Sequence, residues 1–320
     1  MTKESLRIVY MGTPDFAVES LRALVEGGYN VVAVITMPDK PMGRHGSVLQ
    51  PSPVKQYAQE HGLKVLQPEK LKDPAFVEEL RALQADLQVV VAFRMLPEVV
   101  WSMPPLGTFN AHASLLPKYR GAAPINWAII NGETETGITT FMLKHEIDTG
   151  DIIDQVRIPI ADTDNVEAVH DRLMLLSGQL VTKTVDSIID GTFKTVPQAD
   201  IQGVEPTPAP KIFRETCRID WNLPTKRIYD FVRGLSPYPA AWTTLEGKAV
   251  KIYEATKENS TPALSGNLPG TIFSDGKTYL KVATADGLLN VNTLQLEGKK
   301  RMPVADLLRG YHLPENAFFC

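Results

Sequence analysis

The stretch LRIVYMGTPDFAVESLRALVEGGYNVVAVIT, residues 6–36, decides the architecture. "LRIVYMG" is a short apolar run ending in Gly. "PDFAVESLRALVEGG" then carries apolar residues at helical spacing, with Pro14 and Asp15 at its start and Gly27 and Gly28 at its end. "NVVAVIT" is a second buried strand, which completes a β-α-β unit. The alternation continues outward: "SPVKQYAQEHG" reads as a helix started by Ser52-Pro53, "LKVLQP" as a strand, "DPAFVEELRALQ" as a helix and "ADLQVVVAF" as a strand buried on both faces. This pattern predicts an α/β domain with a Rossmann-like, doubly wound, mostly parallel sheet and helices on both sides. Gly12 stands alone after the first strand, without the series of glycines that a dinucleotide fingerprint requires, so it reads as a turn residue and a nicotinamide cofactor is not expected.

Further along, "GTFNAHASLLP" reads as a strand running into a loop, and "TGITTFMLKHEIDTGDIIDQVRIPI" as two strands about a turn at Asp148-Thr149-Gly150. A long helix follows in "NVEAVHDRLMLLSGQLVTKTVDSIIDG". The Pro-rich, polar "TFKTVPQADIQGVEPTPAPK" reads as a linker. Beyond it, one helical piece and many short strands with Gly-bearing turns suggest a small β-barrel. The expected domains are a catalytic one over 1–193, a linker over 194–211 and an OB-like barrel over 212–320.

The apolar runs of this 320-residue chain are strand-length, far short of the roughly 20 residues a membrane-spanning helix needs. The N-terminus passes straight into the first strand without the blocks of a signal peptide, so a cytoplasmic location is expected. Two cysteines, Cys217 and Cys320, cannot build a disulfide framework, and six scattered histidines show no zinc-type spacing. No metal is expected. The formal charge of −4 is unevenly spread: residues 1–206 hold 18 Lys and Arg against 26 Asp and Glu, whereas 207–320 hold 15 against 11. A basic second part suits contact with a polyanion, although a modest surplus of lysine on a solvated face is the commoner cause.

Two segments carry chemistry. "MPDKPMGRHGSVLQPSPVK", residues 37–55, brings Lys40, Arg44, His45 and Lys55 into a long loop after a strand, at the edge where doubly wound sheets bind ligands. Phosphate contact competes there with an ordinary surface loop. In "FNAHASLLPKYRG", residues 109–121, an extended chain turns Asn110 and His112 to one face and Phe109, Ala111 and Ala113 to the other. An amide and an imidazole in one cleft can stabilise an oxyanion and manage a proton. The bland alternative is a histidine that satisfies buried backbone groups. Asp148, in the turn after the next strand, can reach the same cleft and orient the imidazole. With no catalytic nucleophile in the chain, the nucleophile must arrive on a substrate.

"NAHASLLPKYRGAAPINWAIINGE" followed by "HEIDTGDII" resembles the signature of the formyltransferases that use 10-formyltetrahydrofolate. The likeness extends over the whole chain through "MGTPDFAVESL", "PSPVK", "RIDWN", "PGTI", "DGLLNV" and "LQLEGKKRMPVADLLRGY", and is closest to the members that act on tRNA. It implies that Asn110, His112 and Asp148 are the catalytic trio. It also implies that Phe93, Arg94, Met95 and Leu96 read the pterin edge through backbone groups, and that Ser114, Leu115, Leu116 and Pro117 contact the folate. Phe93-Arg94 departs from the Tyr-Gly of many relatives, which puts any role of the Arg94 side chain in doubt. The implied acceptor is initiator methionyl-tRNA, with Arg44 and Lys40 in its acceptor-stem region and the C-terminal barrel on its phosphates, where Lys299, Lys300 and Arg301 are candidates. A monomer is expected. Rival readings are formylation of a nucleotide-sugar amine, hydrolysis of the folate donor, and a noncatalytic RNA-binding module.

Overall fold

The β-α-β unit of residues 6–36 takes form as β1 (Ile8–Met11), α1 (Asp15–Glu26) and β2 (Val31–Ile35) in a computed structural model that describes residues 1–43, 46–259 and 266–320. The chain continues through β3 (Lys40–Met42), β4 (Val48–Gln50), α2 (Pro53–Glu60), β5 (Val65–Leu66), α3 (Pro74–Ala82), β6 (Leu87–Val91), α4 (Glu98–Trp101), β7 (Thr108–His112), β8 (Lys118–Gly121) and α5 (Pro124–Ile130). Then come β9 (Glu135–Met142), β10 (Ile152–Pro159), α6 (Val166–Ile189), β11 (Thr207–Ala209) and α7 (Thr225–Leu235). The last elements are β12 (Ala241–Leu245), β13 (Lys248–Asn259), β14 (Ile272–Ser274), β15 (Leu280–Ala283), β16 (Gly287–Leu296), β17 (Met302–Pro303) and α8 (Val304–Leu308). Two compact units result. The first comprises Met1–Gly121, Thr136–Ile158 and His170–Pro208; the second comprises Ala122–Glu135, Pro159–Val169 and Ala209–Cys320.

The first unit is built on a seven-stranded sheet of order β10-β9-β7-β6-β1-β2-β5. The pairs β1–β2, β1–β6, β2–β5 and β6–β7 are parallel, and β9 joins β7 antiparallel. Every residue of β1 and β6 is buried, as a parallel strand covered on both faces requires. Gly12 is held to its identity by packing: a Cβ there would stand 2.6 Å from Ala17 Cβ and 2.8 Å from the Val91 carbonyl oxygen. Helix α2 begins as its sequence indicates, with Pro53 in the first turn and Ser52 Oγ accepting from the Lys55 amide at 3.1 Å.

The described residues of the 37–55 segment include two short strands where the sequence reads as a loop. β3 and β4 form an antiparallel ribbon with Lys40 opposite Gln50 and Met42 opposite Val48. Its base is fixed by Asp39, which accepts from Lys55 Nζ at 2.8 Å and from Gln67 Nε2 at 2.7 Å. These bonds lower the Asp39 carboxyl pKa. Lys55 is therefore committed to an ion pair, while Lys40 is exposed. Arg44 and His45 lie outside the described residues.

In the second unit, antiparallel strands follow the order β12-β13-β16-β15-β14, with β17 beside β16. The C-terminal tail closes this path. Cys320 and Thr244 exchange backbone bonds of 3.0 and 3.2 Å, while Phe319 N donates to Gly270 O at 2.8 Å and Ile272 N to Ala317 O at 3.1 Å. The β12 edge and the stretch leading into β14 are thus bridged by one segment, giving the small barrel expected from the spacing of strands and turns. Helix α7 packs against α5, and Trp221, Ile228, Ile252, Leu289 and Phe319 contribute to the core. Nothing local marks the segments 122–135 and 159–169 as part of this unit. They are tied to it by Asn126 Nδ2 donating to Gly234 O at 2.9 Å and by Arg233 Nη1 donating to Ala161 O and Asp164 O at 3.1 and 3.0 Å. Arg233 Nε also donates to the buried Asp230 carboxylate at 2.9 Å. Among the described residues, no helix is long and apolar enough to cross a membrane.

Without Arg233 the buried Asp230 carboxylate keeps only the more exposed Lys226, and Ala161 O and Asp164 O lose a donor, a cost of about 1 to 3 kcal/mol. Arg233→Met should therefore lower stability by about that amount in urea unfolding followed by tryptophan fluorescence; Trp127, Trp221 and Trp242 report on the second unit.

Candidate active site

Strand β7 carries Asn110 and His112 on the same side. Phe109 and Ala111 are buried on the opposite side, with Phe109 in register with Met142 and His112 with Thr139 of β9. The chain then leaves the sheet and folds back through β8. Tyr119 takes φ 62° and Asp148 takes φ 55°, left-handed conformations that cost non-glycine residues energy and cluster at functional sites.

His112 is buried, and its Nε2 lies 2.8 Å from the carbonyl oxygen of Tyr119. A carbonyl only accepts, so Nε2 carries a hydrogen and Nδ1 is the nitrogen left to exchange a proton. Nδ1 faces Asp148 Oδ2 at 3.8 Å, an ion-pair distance too long for a hydrogen bond. The sequence reading made Asp148 the group that orients the imidazole. In the structure the Tyr119 carbonyl sets the ring nitrogens, and Phe141 meets the ring edge-on at 6.4 Å between centroids. Asp148 is fixed separately: Oδ2 accepts from Gly121 N at 2.9 Å, and its carbonyl oxygen accepts from Gln198 Nε2 at 2.7 Å.

Asn110 Oδ1 is buried without a hydrogen-bond partner. Leaving a buried polar atom unpaired costs about 1 to 3 kcal/mol, so this acceptor fits a donor group brought by a substrate. Asn110, His112 and Asp148 are thus assembled by one strand and one turn of the first unit.

The positions assigned to the folate divide in two. Ser114 is buried, with Oγ donating to Lys118 O at 2.7 Å, and Leu116 packs with Phe141 and Ile152. Their loop is held by Thr139 Oγ1, which donates to Ser114 O at 2.6 Å and accepts from Leu116 N at 3.2 Å. Gln155 Nε2 adds bonds of 2.9 Å to Leu116 O and 3.0 Å to Thr139 Oγ1. The other segment follows β6 directly, where Ala92 takes φ 47°. There Met95 is exposed, Leu96 sits in the core and Phe93 packs beside it. Arg94 turns away: Nη1 donates to Glu69 O at 2.8 Å and Nη2 to Pro68 O. Partial burial lowers its pKa from the ordinary guanidinium value. Its side chain ties the 68–69 segment.

Sequence reasoning missed Gln198. It lies 50 residues beyond Asp148 in a Pro-rich stretch, yet it is buried and binds both Asp148 O and Gly150 O while accepting from Arg120 Nη2 at 2.7 Å. Val196 and Ile152 exchange backbone bonds of 2.8 Å that bring it there. No local pattern signals this. Thr139 left a faint one, a hydroxyl in the middle of a buried strand.

A doubly wound sheet that brings a carboxamide, an imidazole and a carboxylate together at one strand and turn has a donor set suited to polar group transfer. Residues 6–185 match the formyl transferase family model and 211–312 match that of the formyl transferase C-terminal domain. The chain belongs to the formyl transferase family. It is 67% identical over 321 residues to the methionyl-tRNA formyltransferase of Bacteroides fragilis, covering 98% of each chain. It is 70% identical over 323 residues to that of Phocaeicola vulgatus, covering 99% of each. Among solved structures, the sugar 3N-formyl transferase WlaRD, crystallised in the presence of dTDP and 5-N-formyl-THF, matches with a TM-score of 0.66 at 20% identity, over 93% of this chain and 100% of that one. HypX from Aquifex aeolicus in complex with tetrahydrofolic acid gives 0.64 at 20% identity, over 95% of this chain and 47% of that one. This chain spans about half the length of that HypX chain. At these identities the two structures speak for the fold.

Gln198→Leu removes both donors' bonds to the 148–150 turn. It should lower the kcat of formyl transfer by roughly tenfold or more while KM for the formyl donor changes little, the pattern of a lost positioning interaction. Steady-state kinetics with each substrate varied will check this.

Proposed function

We propose that the protein transfers the formyl group of 10-formyltetrahydrofolate to the free α-amino group of initiator methionyl-tRNA. The observation that carries this reading is identity of 67 to 70% over nearly the whole chain to relatives bearing that activity in their name. Support from the site comes from the Asn110, His112 and Asp148 cluster, with His112 and Asp148 buried and Asn110 Oδ1 unpaired.

The chemistry follows from the donor set. Both substrates are consumed. The α-amine of an esterified methionine has a pKa below the free α-amino value of about 7.7 to 8.0, so it is substantially neutral at cellular pH and can attack the formyl carbon. One carbon–nitrogen bond forms and the bond to the folate nitrogen breaks. The amine gives up one proton and the folate nitrogen gains one, so the transfer is balanced without redox.

Asn110 Nδ2 donates to the oxygen on which charge develops, and Oδ1 accepts from the attacking amine. His112 uses Nδ1, since Nε2 is held by Tyr119 O. With a proton on Nδ1 it donates to the developing oxyanion; without one it accepts. Asp148 beside that nitrogen stabilises the protonated ring and helps take the amine's proton. The pterin lies against the backbone of Phe93, Arg94, Met95 and Leu96, and the loop of Ser114, Leu115, Leu116 and Pro117 shapes the folate site. A flat heterocycle suits such apolar walls with a few fixed hydrogen bonds. Lys40, on strand β3, and Arg44 contact the acceptor end of the tRNA. The protein acts as a monomer in the cytoplasm and uses no metal.

Removing an oxyanion donor costs on the order of 100- to 1000-fold in rate, so Asn110→Ala should lose that much kcat or more with folate affinity retained, and Asp148→Asn, which removes the charge facing His112 Nδ1, should lose a comparable factor. The acceptor is tested by offering donor with a labelled formyl group to methionyl-tRNA and to a nucleotide-linked amino sugar in parallel. Label on the tRNA is the expected result, and label on the sugar alone would refute the assignment.

A further inference from the structure

The segment 93–96, assigned to the pterin, leaves β6 through a strained turn. Ala92 takes φ 47°, a left-handed conformation that persists only where its surroundings hold it. Leu96 is buried and anchors the far end of the segment, whereas Met95 is exposed. The middle is held by Arg94. Its Nη1 donates to Glu69 O at 2.8 Å and its Nη2 to Pro68 O, so one planar fork grips two successive carbonyls. The guanidinium carbon lies 5.5 Å from the centre of the Phe93 ring. Nε is buried without a partner, which opposes stability, and the two carbonyl bonds are what keep the fork in place.

The stretch that Arg94 grips is itself anchored. Leu66 O accepts from Thr36 N at 3.1 Å at the end of β2. Gln67 Nε2 donates to Met37 O at 3.0 Å and to Asp39 Oδ1 at 2.7 Å, and Asp39 accepts in turn from Lys55 Nζ at 2.8 Å. Residues 66–69 thus join the end of β2 to the segment after β6. These two strands flank β1, so the link spans the carboxyl edge at which doubly wound sheets bind their ligands.

We propose that Arg94 is a positioning residue for the formyl donor: its fork fixes the backbone of 93–96 against the Gln67-anchored stretch, so that the groups meeting the pterin are in place before it binds. The proposal rests on the reading of 93–96 as the folate-facing segment. A backbone left free would have to be ordered by the ligand, at the expense of affinity. Arg94 acts through the main chain of its own segment, so its effect falls on donor binding and not on the chemical step.

In the full-length chain, Arg94→Met keeps the aliphatic stem and removes the fork. KM for 10-formyltetrahydrofolate should rise roughly tenfold and equilibrium binding of tetrahydrofolate should weaken in parallel, while kcat and the KM for methionyl-tRNA stay within about twofold. Arg94→Lys, whose ammonium can reach the same carbonyls, should regain most of the loss. Gln67→Leu should raise the donor KM by roughly threefold, and in the double variant the two effects should fall short of multiplying, because both cut one link. An Arg94→Met protein that melts like the wild type and keeps its donor KM and tetrahydrofolate affinity overturns the proposal, as does Gln67→Leu with an unchanged donor KM. Hydrogen exchange on the wild type tests the reading beneath it: amides of residues 93–96 that gain no protection when tetrahydrofolate binds overturn that reading instead.

Discussion

Two hydrogen bonds to main-chain atoms hold the site together: His112 Nε2 to the carbonyl of Tyr119, and Gly121 N to the carboxylate of Asp148. Both come from the loop that leaves β7 and folds back over it. Because the partners are backbone groups, the ring and the carboxylate are set by the path of the chain, with little freedom for side chains to drift. Preorganisation of this kind matters where charge develops in a buried site, since dipoles already aimed need no reorganisation during the reaction. The supporting bonds of Thr139, Gln155 and Gln198 serve the same loop and the turn it meets. The left-handed residues Tyr119 and Asp148 are the conformational cost of that path.

Much of this was legible beforehand, for physical reasons. Residues 6–36 alternate periods of two and 3.6 over lengths that only a β-α-β unit accommodates, and β1, α1 and β2 follow them closely. Period-two alternation also put Asn110 and His112 on one side of β7, and the turn at 148–150 was visible from its Asp-Thr-Gly. What stayed hidden depends on long-range packing. Gln198 reaches Asp148 only after the chain has passed through β10 and α6, and nothing in its neighbours announces a buried amide. The separation of Nδ1 from Nε2 in His112 rests on a carbonyl, which has no signature in side-chain identity. Arg94 reads as a ligand candidate from position, but its fork finds two nearby carbonyls first. The pairing of β3 with β4 escaped because two three-residue strands give too little periodicity to detect.

In the second unit, charge is organised by ion pairs and by aromatic contacts. Its barrel closes through the C-terminal tail, and Gly270 is required there because a Cβ would lie 2.4 Å from the Phe319 carbonyl oxygen. Several of its basic side chains pair with carboxylates, while the guanidinium groups of Arg214 and Arg218 lie against the Trp242 indole. The Asn110, His112 and Asp148 cluster is thus held by backbone bonds in the first unit, while residues 207–320 carry the chain's surplus of positive charge.

The central claim is that Nε2 of His112 carries the fixed hydrogen and that Nδ1, facing Asp148, exchanges the proton. Nitrogen NMR of protein labelled at histidine, with His112 assigned by its loss in His112→Asn, reads the two ring nitrogens separately. The account predicts that the neutral ring shows a protonated, hydrogen-bonded Nε2 and an unprotonated Nδ1. A neutral ring with its hydrogen on Nδ1 would contradict it.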